Sequence, residues 1–66
     1  MTARECLRQA RLRLQEAHVS DAEIDAAWLL GSVLGMGRLQ TMALGDQPLT
    51  ARQEEAFEAL LSRRLT

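Results

Sequence analysis

Apolar residues recur along this chain at helical spacing, and they are densest in its middle. From Ser20 to Gly35 they surround an entire helix. At 3.6 residues per turn, Ile24, Ala27, Trp28, Gly31 and Leu34 share one face, and Ala26, Leu29, Leu30 and Val33 cover most of the other. Only Asp21, Asp25 and Ser32 form a polar seam. A helix that is apolar nearly all round needs neighbours on several sides, and this one is too short to cross a bilayer. The pattern predicts a central helix. Ser20 and Glu23 have capping-box spacing, Val19 and Ile24 staple spacing, and Gly35 stands where a left-handed residue closes a helix. Gly31 in mid-helix implies close approach by another helix, with Ala10 as its expected neighbour.

The flanking segments are amphipathic. Thr2-Ala3-Arg4-Glu5 reads as a capping box opening a helix with the stripe Ala3, Leu7, Ala10, Leu14 and Ala17. Its outer side carries Arg4, Arg8 and Arg11 beside Leu12, off the core stripe. Three arginines around one apolar residue make a candidate contact surface for an acidic protein partner; a solvated face, or pairing with Glu54 and Glu58, is the plainer reading. His18 ends this helix and has no catalytic companions at useful spacing. After Gly35-Met36-Gly37, residues 38–44 suit a short helix with Leu39, Met42 and Ala43 on one face. Gly45-Asp46-Gln47-Pro48 is a turn. Thr50 and Gln53 then open a last helix, about Ala51 to Leu65, with Gln53, Ala56, Phe57, Leu60, Leu61 and Arg64 inward.

No segment alternates with period two. The expected fold is therefore all-α: a small orthogonal or bundle-like array of about four helices around the central one, residues 1–66 forming a single domain. The expected core is Leu7, Leu14, Ile24, Trp28, Leu30, Leu34, Phe57, Leu60 and Leu61.

Composition narrows the function. Sixty-six residues, 47% of them hydrophobic, sit near the lower limit for a self-sustaining core. Cys6 is the lone cysteine and reads as a small buried hydrophobe in a reducing, cytoplasmic setting. A net charge of −1 argues against direct nucleic-acid or membrane binding. The glycines around Met36 lack the lysine and preceding strand of a phosphate loop. No catalytic, cofactor-binding or metal-binding residues are expected here.

Together the residues resemble a family. Asp25-Ala26-Ala27-Trp28-Leu29-Leu30, Val33-Leu34-Gly35, Arg38, Pro48-Leu49-Thr50, then Phe57, Leu60-Leu61 and Arg63-Arg64 resemble the N-terminal helical domain of the bacterial release-factor glutamine methyltransferases, the HemK or PrmC family. Ala27 departs from the glutamate the family commonly has there, and Trp28 replaces an aliphatic residue. The resemblance implies that this is an N-terminal domain without its Rossmann-like catalytic domain. It further implies a parent enzyme that binds S-adenosylmethionine, carries an Asn-Pro-Pro-Tyr motif, and methylates a release-factor glutamine in translation termination. For this domain it implies recognition of the release factor and support of the catalytic domain. The alternative is a stand-alone helical interaction module, or a helix-turn-helix protein, against which the lack of a basic recognition helix counts.

Overall fold

The computed structural model describes every residue, Met1–Thr66, and contains four helices: α1 (Ala3–Glu16), α2 (Ala22–Leu34), α3 (Arg38–Met42) and α4 (Ala51–Leu65). There is no strand, only an isolated bridge between Thr2 and Pro48. The all-α expectation holds, with α2 packed against the other three helices.

Local chemistry sets the ends of α1 and α4. The Thr2 hydroxyl accepts from the Glu5 amide at 3.2 Å while the Glu5 carboxylate accepts from the Thr2 amide at 3.1 Å. Thr50 and Gln53 repeat the exchange at 3.1 and 2.9 Å. The α3–α4 loop completes the start of α1. The Gln47 and Gly45 carbonyls accept from the amides of Ala3 and Arg4 at 2.8 and 2.9 Å. The free donors of that helix end are thereby satisfied by a segment some forty residues away.

The turn from α1 to α2 differs from the capping box expected at Ser20. His18 adopts φ +63°. Its amide donates to the Gln15 carbonyl, and that of Val19 donates to the Leu14 carbonyl, both at 3.0 Å. These are the two bonds of a Schellman motif, with Val19 and Leu14 as its apolar pair. Closing α1 this way delays α2, whose N-cap is Asp21 and makes no side-chain capping bond. The box and staple registers are therefore lost: Val19 packs on the core and Ile24 does not. At the other end Gly35 closes α2 at φ +71°, as its position predicted.

The core is built mainly of small residues, Ala3, Cys6, Ala10, Ala22 and Ala26, around Leu14, Leu30, Phe57 and Leu61. Leu7 and Leu34 pack against its edge half-buried, and Leu60 is likewise half-buried. Two expected core residues are outside it: Trp28 is 59% exposed and Ile24 is 41% exposed. With α1, α3 and α4 on three sides of α2, the Ile24–Trp28 side is left largely uncovered. Ala17 and Ala56 also face out. In α3 the expected apolar face is inverted. Leu39 and Met42 are exposed, and Thr41 is buried with its hydroxyl donating to the Gly37 carbonyl at 2.8 Å.

Gly31 does mark a close approach, but not to Ala10. A β-carbon there would lie 2.7 Å from the Met36 carbonyl oxygen and 3.0 Å from the Thr41 hydroxyl. The absent side chain admits the α2–α3 turn, which folds back over the end of α2.

Candidate functional site

The structure gathers Arg4, Arg8 and Arg11 at one groove. All three lie on the side of α1 that turns towards α2, because four- and three-residue steps keep them within one face. Leu7 and Ala27 lie at the groove's base, Met42 closes it from α3, and Glu23 contributes one carboxylate; its volume is about 330 Å³. Leu12 is not part of it and stands 42% exposed farther round α1.

Charge in this groove is largely unspent. Arg4 reaches Asp46 at 3.3 Å, a solvent-exposed pair of small energetic weight. Arg8 and Arg11 make no ion pair within the chain. The pairing expected with Glu54 and Glu58 goes elsewhere. Glu58 takes both its bonds from Arg13 at 2.7 and 2.8 Å, and Glu54 holds the Met1 ammonium at 2.9 Å. That hydrogen bond, then the charge of Glu54, raises the pKa of the ammonium above its ordinary value.

A second groove, about 340 Å³, runs between α1 and α4 over Cys6, Ala10, Phe57 and Leu61. Its rim carries the Arg13–Glu58 and Met1–Glu54 pairs, so opposite charges already face each other across it. Only the α1–α2–α3 groove offers unpaired cations beside an apolar base.

No other constellation points to chemistry. Burial, then the charges of Glu54 and Glu58, pushes the Cys6 thiol up to about 11, so it stays protonated at neutral pH. The Thr2 hydrogen bonds hold the Glu5 carboxyl below its ordinary value, which is the signature of a cap. No group of three or more His, Cys, Asp or Glu side chains is placed to hold a metal ion. No helix is long and apolar enough to cross a membrane.

Sequence reasoning found the arginine strip but missed Glu23, Ala27 and Met42 as its surroundings. The pattern within α2 makes Glu23 a capping partner and Ala27 part of a packing face. Nothing local shows which flank of α2 meets α1.

The family model described as the PrmC N-terminal domain matches residues 5–66. Over 50 residues the chain is 40% identical to the "Release factor glutamine methyltransferase" of Chlorobaculum tepidum, a match covering 76% of this chain and 17% of that protein. No solved structure matches. The match across nearly the whole chain favours the first of the two sequence readings over an unrelated helix-turn-helix module.

Proposed function

Since the chain belongs to the family of PrmC N-terminal domains, we propose that it serves as the recognition and support domain of a release-factor glutamine methyltransferase. The parent enzyme on this reading uses S-adenosylmethionine to methylate the amide nitrogen of a glutamine in a peptide chain release factor, in the cytoplasm. The cofactor and the reacting amide belong to its catalytic domain. The part assigned to this domain is to hold the body of the protein substrate while the catalytic domain holds the glutamine.

The observation that carries the assignment is the groove of unpaired Arg8 and Arg11, with Arg4 weakly paired, over Leu7 and Ala27. Cations around an apolar base suit an acidic protein surface with one or two projecting apolar side chains. Such a contact contributes chiefly to encounter rate and orientation. Leu12 lies outside the groove and extends the same surface only as a flanking apolar contact.

The test uses the full-length parent with Arg4, Arg8 and Arg11 all changed to Gln. Methylation of intact release factor is expected to slow and to lose its dependence on salt, while a short glutamine peptide is methylated at the parental rate. If the variant treats both substrates as the unmodified enzyme does, the groove is only a solvated face.

A further inference from the structure

Ile24 and Trp28 stand one turn apart on α2, on the side that α1, α3 and α4 leave bare. Single exposed apolar residues need no explanation. Here, however, a tryptophan and an isoleucine form a ridge on a helix whose other sides are all packed. The free carboxylates nearby, Asp21 and Glu23, stand at the Ile24 end, by the start of the helix. Asp25, between them in register, is occupied by Arg64 of α4, which donates from Nε and Nη2 at 3.1 and 2.8 Å. That ion pair also places the last turn of α4 beside the ridge. Chain continuing past Thr66 therefore emerges next to Ile24 and Trp28, at high effective concentration for contact with them. The Chlorobaculum tepidum relative is much longer, since the match takes in 17% of it.

We propose that the Ile24–Trp28 ridge is the seat of the catalytic domain that follows in the same polypeptide, an inference that rests on the function proposed above. The occupant meets it with an apolar patch, because the ridge itself presents the apolar carbon of Ile24 and Trp28. The domain then has two working faces. The arginine groove, between α1 and α2, is turned to the protein substrate. The ridge, farther round α2, is turned to the enzyme's own second domain.

The test is thiol labelling of the full-length protein. Trp28→Cys and, separately, Leu39→Cys are treated with a water-soluble maleimide, and labelling at each site is followed by peptide mass. Leu39 is 73% exposed on α3 and serves as the free reference. Trp28→Cys is expected to react at least about tenfold more slowly than Leu39→Cys, as a site that opens only transiently does. This protection should be independent of protein concentration and present without release factor. Equal labelling of the two sites overturns the proposal. Protection that vanishes on dilution assigns the ridge to a second copy, and protection that needs release factor assigns it to the substrate; either overturns the proposal. Methyl transfer to release factor is measured on the same samples. A protein that methylates but labels equally refutes the ridge alone. One that protects Trp28→Cys but transfers no methyl group refutes the function and leaves the domain contact standing.

Discussion

Replacing Gly31 by Ala sets two known effects against each other. Alanine is the better helix former by about 1 kcal/mol, which favours the variant. Against this, the new β-carbon would sit 2.7 Å from the Met36 carbonyl oxygen and 3.0 Å from the Thr41 hydroxyl. Neither neighbour gives way easily. The Met36 oxygen is main chain in a turn whose amide bonds back to the Gly31 carbonyl at 3.0 Å. The Thr41 hydroxyl is buried and committed to the Gly37 carbonyl. Relief requires moving the α2–α3 turn, so the cost falls in the upper part of the roughly 1–3 kcal/mol range of overpacking. The net effect is a loss of about 1–2 kcal/mol. For a domain of this size that lowers the melting temperature by roughly 5–15 °C. Urea and thermal unfolding followed by far-ultraviolet circular dichroism read it directly. Thr41→Ala should not rescue the variant, because the closer contact is with main chain. A melting temperature for Gly31→Ala at or above that of the parent chain would show that the turn yields freely, and the packing argument would fail.

Three further outcomes follow from the same structure. Trp28→Ala in this chain should cost under about 1 kcal/mol because the ring is mostly exposed, whereas Leu30→Ala, at a fully buried site, should cost about 2–5 kcal/mol; reversal of that order in urea melts would contradict the placement of α2. His18→Gly should stabilise by about 1 kcal/mol, since only the backbone at φ +63° is needed there and a β-carbon is strained in that region; a lower melting temperature would mean that the imidazole makes a stabilising contact. Burial raises the Cys6 thiol from 9.0 to about 11, so its contribution is complete below pH 9 and is lost as pH rises towards 11. The chain has no Lys and no Tyr, so the Met1 amine, whose pKa the Glu54 hydrogen bond raises, is the other group concerned. Cys6→Ala should remove most of the alkaline fall in melting temperature between those limits, and an unchanged fall would count against burial of the thiol.

The sequence by itself determined the elements and most of their ends. Capping boxes at Thr2 and Thr50, the left-handed stop at Gly35 and the stripe through Ala3, Ala10 and Leu14 are decided within a few residues, so they were legible. The arginine strip was legible for the same reason, since helical spacing alone gathers Arg4, Arg8 and Arg11. The start of α2 was not. The Schellman turn at His18 competes with the Ser20 box for the same few residues, and its apolar pair, Leu14 and Val19, is anchored by the core. Nor was the orientation of α2 legible. A helix apolar on every side has no preferred face, so periodicity cannot say which residues are left outside. Long-range contacts made that choice: Arg64 on Asp25, the α2–α3 turn against Gly31, and α1 over Ala26 and Leu30. Once those three sides were taken, Ile24 and Trp28 remained on the fourth. The same rotation placed Ala27 and Glu23 opposite the arginines and made a groove of a strip. Only the tertiary structure decided these matters, because they depend on which surfaces of separate helices meet and not on what any one helix contains.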